Sequence, residues 1–159
     1  MKQQNASLNE QLAQYSPSPA SQPHETAPES NIEATTDNLV SRLDGCAKTT
    51  RAVTCIVRVM NTKADRVVRL FSDWTSIVDS RGNEQKPTVA RIGASTNPFP
   101  YGYAETTLPT NVPVKVTITF GGVDSDINRL SILTLGLQCL VTNGMPDKEE
   151  LQFRGIPLR

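Results

Sequence analysis

The chain reads as an all-β protein, an antiparallel sandwich preceded by a polar arm, and three observations predict it. Its body alternates apolar and polar residues in short runs broken by Gly, Pro, Asn and Asp. The runs recur at intervals of about ten residues, a spacing that suits a sandwich better than a parallel sheet. Residues 1–37 hold Pro17, Pro19, Pro23 and Pro28 among many Ser, Thr, Gln and Glu, with almost no branched apolar side chains. Such a segment buries too little surface to offset its ordering entropy and is expected to be disordered. The division is therefore a flexible N-terminal arm and linker over 1–37 and one β-sandwich domain over 38–159.

Each element follows from local pattern. Within the arm, Ser7-Leu-Asn-Glu10 has the form of a capping box, with Leu8, Leu12 and Tyr15 at helical spacing. A helix over 7–15 is too short to persist alone in water, so it would order only as a docking peptide with Leu8 and Leu12 as contacts. Residues 39–46 read as the first strand. In 52–60, Val53, Cys55, Val57 and Val59 share one face while Thr54, Ile56, Arg58 and Met60 share the other. After a turn at 61–65, strand 66–72 points Val68 and Leu70 inward. Trp74, reading as a core residue, leads with Ile77 and Val78 into the Gly-containing hairpin loop of Asp79 to Asn83. Residues 84–92 return as a strand, where Pro87 marks an edge because proline cannot donate to a ladder. A long Gly/Pro/aromatic loop fills 93–103, followed by a short strand at 106–108 and a turn. In 113–120, Val114, Val116, Ile118 and Phe120 face one side and Lys115, Thr117 and Thr119 the other. The apolar run 130–142 fits a buried strand or helix, and Gly136 and the β-rich neighbours favour strand. Residues 151–158 close a set of eight or nine strands.

Three consecutive features carry a resemblance. They are the strand VTCIVRVMN ending in Asn61, the VVRLFSDWTSIVDSRGN hairpin, and the later TLPTNVPVKVTITFGGV. Together, over about 39–158, they resemble the immunoglobulin-like domains of secreted or surface bacterial proteins related to the mycobacterial immunoprotective extracellular antigen. The resemblance implies an immunoglobulin-like sandwich, an extracytoplasmic or surface setting, and no shared catalytic residues.

Composition excludes several functions. The single histidine, His24, lies in the arm, leaving the body without the usual group for acid–base chemistry or nucleophile activation near neutral pH. Asp73, Asp79 and Glu105 lie near aromatic residues, but nothing in their spacing sets them across a cleft as sugar chemistry requires. An enzyme is not expected. The arm carries one basic and five acidic residues, the remainder 15 basic and 11 acidic; a net +4 spread over strands is no clustered stripe for nucleic acid. No stretch approaches a membrane span, so direct insertion is not expected, and MKQQNASLNEQ lacks the apolar core of a signal peptide. Asp124-Ser-Asp126-Ile-Asn128 begins like a calcium loop, yet Arg129 and Leu135 stand where that loop needs Gly and Glu. Neither a metal nor a cofactor is implied. Asn5-Ala-Ser7 has the form of a glycosylation acceptor.

Two features bear on function. A hairpin turn centred between Thr50 and Arg51 sets Cys46 opposite Cys55, close enough for a disulfide and hence for an oxidising compartment. A Cys55–Cys139 bridge and three reduced cysteines stand beside that reading. Phe99, Tyr101 and Tyr103, interleaved with Pro and Gly, form the binding candidate of the 93–103 loop, since exposed loop aromatics either fold back on the core or meet a partner. The expected function is a non-catalytic protein-interaction module of an extracytoplasmic or surface assembly, of bacterial or phage origin, with the sandwich displayed on its arm. Partners are proteins, a second copy among them by strand addition. The alternative is a structural subunit of a virion or appendage, assembled inside the cell with the arm ordered by neighbouring subunits.

Overall fold

The computed structural model describes residues 32–98, 102–141 and 144–159. The proposed helix at 7–15 lies outside them. Twelve strands form among the described residues: β1 (Glu33–Thr35), β2 (Leu39–Lys48), β3 (Ala52–Asn61), β4 (Arg66–Phe71), β5 (Ser76–Asp79), β6 (Glu84–Gln85), β7 (Pro87–Ile92), β8 (Ser95–Pro98), β9 (Tyr103–Leu108), β10 (Pro113–Gly121), β11 (Arg129–Leu140) and β12 (Asp147–Pro157). One sheet runs β1-β2-β3-β10-β7-β8. In the other, β11 pairs β12 on one side and both β4 and β5 on the other, with β9 beyond β4 and β6 beyond β5. All these pairings are antiparallel.

The strand order makes the sandwich immunoglobulin-like. Taking β2, β3, β4, β7, β10, β11 and β12 as successive strands A to G, the first sheet contains A-B-E-D and the second C-F-G. The inward faces of both sheets supply the core. Val53, Val57, Val59, Val116, Ile118 and Phe120 from the first meet Val68, Leu70, Leu133, Leu135, Leu137 and Phe153 from the second, all fully buried. Period-two alternation in β3 and β10 turns these side chains to one face, and each removed from water contributes about 1.5–3 kcal/mol.

Several elements differ from the sequence reading, each for a physical reason. The first strand begins at Glu33, on the arm side of the 37/38 boundary, because β1 is a three-residue edge strand that needs only Ala34 against the core. The single strand read at 84–92 breaks at Lys86. Its first part pairs β5 and its second part pairs β10, so the chain crosses between sheets there. Pro87 opens an inner strand: it pairs Phe120 on one side, while β8 extends only as far as Val89 on the other. The 93–103 loop contains β8, turned back from β7 by Gly93 in the left-handed region (φ 57°). The ambiguous run at 130–142 is strand.

Cys46 and Cys55 face each other in register and form a disulfide, with Cα atoms 4.1 Å apart. Cys139 lies on β11 in the opposite sheet as a buried free thiol. The carboxy terminus then joins the edge of β2, where Arg159 N–H donates to the Cys46 carbonyl and Lys48 N–H to the Arg159 carbonyl.

Candidate protein-interaction face

The outer surface of the β9-β4-β11-β12 sheet carries an aromatic group that arises from a break in strand register. Seven residue steps from Leu70 to Ile77 run beside only four from Leu137 to Leu133. This three-residue excess lets residues 72–75 arch over β11. Gly136 lies beneath the arch, and a Cβ there would sit 2.2 Å from Trp74 Cβ and 2.7 Å from the Trp74 carbonyl carbon and oxygen. Only glycine permits that approach. Thr75, fully buried, pins the arch: its hydroxyl donates to the Phe71 carbonyl at 2.8 Å and accepts from Gly136 N–H at 3.1 Å. Ser72 is anchored by the Asn97 amide at 2.9 Å.

The arch sets Trp74 on the outside. Its ring stacks on Phe71 with centroids 4.2 Å apart and planes 24° from parallel. The β4–β9 register places Tyr103 directly opposite Phe71, with centroids 5.2 Å apart. A cation flanks each end. The Arg69 guanidinium lies 4.5 Å from the Tyr103 ring centroid, and Lys148 Nζ of β12 lies 4.8 Å from that of Trp74. Arg69 also donates to Glu105 at 2.7 Å, which holds its pKa above the ordinary guanidinium value, and Lys148 pairs with Glu150 at 3.0 Å. The result is a ladder of Arg69, Tyr103, Phe71, Trp74 and Lys148 across the sheet. Tyr103 is 43% exposed, and Phe71 and Trp74 are half-buried.

Of the sequence-predicted binding residues, Tyr103 belongs to this face. Phe99, Tyr101, Leu8 and Leu12 lie outside the described residues. Trp74 is not a core residue; the arch turns it outward. Phe71, Arg69 and Lys148 were missed. Phe71 was legible in principle, because strand alternation that sends Val68 and Leu70 inward sends residue 71 outward.

The carboxylates considered for chemistry have other work. Asp79 closes its own turn, accepting from Arg81 N–H at 2.8 Å, Asn83 N–H at 2.9 Å and the Asn83 amide at 3.0 Å. Burial pushes this carboxyl up, but those hydrogen bonds and the Arg81 charge outweigh it and hold the group below the usual carboxylate range. Glu105 is paired to Arg69 on β9, and Asp73 lies in the arch. In the calcium-like loop, Arg81 bridges Asp124 and Asp126, while Lys48 Nζ donates to the Ser125 and Ile127 carbonyls. Protein cations thus already bond those carboxylates and carbonyls. A cavity of about 140 Å³, lined by Ile32, Leu43, Ile156 and Pro157 among others, opens beside the β2 edge and includes none of the aromatic residues.

Comparison with known proteins adds a likeness to a solved structure. No protein-family model matches the chain, and no curated protein matches it. Among solved structures it is similar to the crystal structure of the yeast GGA1_GAE domain-P21. The identity is 12% and the TM-score 0.43, over 79% of this chain and 99% of that one. The immunoglobulin-like assignment rests on the strand order above. Of the resemblance to the bacterial antigen-related domains, the fold is what stands.

Proposed function

We propose that the chain is a non-catalytic protein-interaction module of an extracytoplasmic or surface assembly, and that the β9-β4-β11-β12 face is its contact surface. The observation that carries this reading is the outward stack of Phe71, Trp74 and Tyr103 between Arg69 and Lys148. Trp, Tyr and Arg are the residue types that dominate interface energetics, and aromatic rings offer large apolar area at little conformational cost. The same rings on a solvent face bring less to folding than they would between the sheets. The Cys46–Cys55 bridge supports an oxidising compartment.

The test is comparative capture with the full chain and a Tyr103→Ala variant, checked for an unchanged thermal midpoint. A protein retained by the parent should bind the variant roughly five- to thirty-fold more weakly, the loss a 1–2 kcal/mol contact residue produces. Equal retention by both forms would count against the face.

A further inference from the structure

The geometry points to the outer edge of β12 as a self-association site, where a second copy of the chain adds its own β12 antiparallel about a two-fold axis through Gln152. The direction of the β12 backbone groups comes first. Gly136 N–H is bonded to the Thr75 hydroxyl, on the β4–β5 side of β11. Residues directly opposite in an antiparallel pair either exchange both backbone bonds or turn both away. Glu150 is the register partner of Gly136, so its N–H and C=O turn to the outer edge. Alternation along the strand gives the same direction to Lys148, Gln152 and Arg154. Among the described residues no strand is hydrogen-bonded along that edge. Edge strands are usually blunted by shortness, proline or a bulge. β12 has 11 residues, no proline before Pro157, and an unbroken register with β11. β9, across the same sheet, differs, because its Glu105 N–H is already taken by the Ser95 hydroxyl.

Charge selects the occupant and its register. The residues whose backbone faces the edge also expose their side chains on the solvent face, in the order Lys148, Glu150, Gln152, Arg154. Pairing about Gln152 sets Glu150 of each copy opposite Arg154 of the other, an opposite-charge pair made twice by symmetry. It keeps Leu151 and Phe153 on the buried side in both copies. The pairs 150–154, 152–152 and 154–150 each exchange two backbone hydrogen bonds. Other centres fail. About Glu150 that carboxylate meets itself, and about Leu151 Lys148 meets Arg154. About Glu149 the ladder shrinks to Lys148 and Glu150, because Pro146 has no N–H. Centres beyond Gln152 run into the bend at Gly155 (φ 65°), where the chain leaves the edge to join β2 through Leu158 and Arg159. In the chosen register Glu150 keeps Lys148, 3.0 Å away, and gains Arg154 of the other copy. The axis is perpendicular to the sheet, so both aromatic ladders lie on one side of a continuous sheet and neither is covered. The association therefore does not depend on the role proposed for that face.

The test is sedimentation equilibrium of the full chain between about 5 µM and about 1 mM, where the parent should pass from monomer to dimer. Glu150→Arg and Arg154→Glu each set like charges at both pairs and should weaken dimerisation roughly ten-fold or more. An equimolar mixture of the two single variants restores opposite charges at both pairs of the mixed dimer, as the double variant does in its own. Both should return to within about three-fold of the parent constant. Gln152→Pro removes the central N–H, which is spare within one copy, and should abolish the dimer with the thermal midpoint within about 3 °C of the parent. A chain monomeric throughout the range, single charge variants that dimerise like the parent, or a mixture that does not re-associate would overturn the assignment. So would a dimer that survives Gln152→Pro and is lost in Tyr103→Ala, which would place the second copy on the aromatic face.

Discussion

Replacing Gly136 by alanine tests the origin of the aromatic face. The new Cβ would lie 2.2 Å from Trp74 Cβ and 2.7 Å from two Trp74 backbone atoms, against an ordinary carbon separation of about 3.5 Å. Two of the three obstacles are main chain, so no rotamer change relieves them, and the arch must rise by about 1.3 Å. That shift stretches the 3.1 Å bond from Gly136 N–H to the Thr75 hydroxyl beyond useful length. Overpacking at about 1–3 kcal/mol and a lost buried hydrogen bond at about 0.5–1.5 kcal/mol give a combined cost of roughly 2–4 kcal/mol. At about 4 °C per kcal/mol for a domain of this size, the thermal midpoint should fall by roughly 8–16 °C. Circular dichroism on heating measures this directly. Trp74, the single tryptophan of the chain, reports the local change through its emission in the native state. Alanine also loses less backbone entropy on folding than glycine, by about 0.4–1 kcal/mol, a gain too small to mask the effect. A midpoint within about a degree of the parent, with unchanged emission, would refute both the close approach and the account of why Trp74 faces outward.

Four other outcomes follow from the same geometry. Removing the disulfide by Cys46→Ala and Cys55→Ala opens a loop of about ten residues and should cost about 2.5–3 kcal/mol, read as a lower thermal midpoint. A thiol assay should find one reactive group in the unfolded, unreduced chain and three after reduction. It should find none reacting quickly in the native protein, because burial, with the Glu149 charge, pushes the Cys139 thiol up to about 11. Three thiols without reductant would contradict the bridge. The Asp79 carboxyl is held below its unfolded value, so its stabilisation is complete above the unfolded pKa of about 3.9 and is lost as pH falls through the folded pKa. Asp79→Asn should lower the midpoint at neutral pH by the equivalent of about 1–3 kcal/mol and flatten the acid limb of a midpoint-against-pH profile; an unchanged acid limb would show that the turn does not depend on the charge. Calcium at about 1 mM should shift the midpoint by less than about a degree, because Arg81 and Lys48 already fill the 124–128 loop.

The parts of the fold legible in the sequence were those governed by local periodicity. Alternation in β3 and β10 identified Val53, Val57, Val116, Ile118 and Phe120 as one apolar surface, and these are the core. The pairing of Cys46 with Cys55 was legible because a hairpin turn dictates register over a few residues. The two strands absent from the sequence reading, β1 and β8, lie at sheet edges, where one face alone needs apolar side chains and very short pairing suffices. The sheet crossing at Lys86 leaves no trace in hydropathy, since Glu84 and Ile92 could equally belong to one strand.

The face itself was illegible for a different reason. Trp74 has the composition of a core residue, and nothing within several residues of it says otherwise. What turns it outward is the three-residue excess against β11 and the missing side chain at Gly136, whose N–H is bonded to Thr75 from a point 61 residues further along the chain. On the outer face of the other sheet, the alignment of Arg42, Arg58 and Lys115 depends in the same way on two registers at once: Arg42 on Arg58, and Arg58 on Lys115. A net charge of +4 distributed along the body looks like an ordinary mixed surface until the strands align it. Both surfaces are therefore properties of strand registration, so a substitution that slipped the register by one residue would dismantle them while leaving composition and charge unchanged.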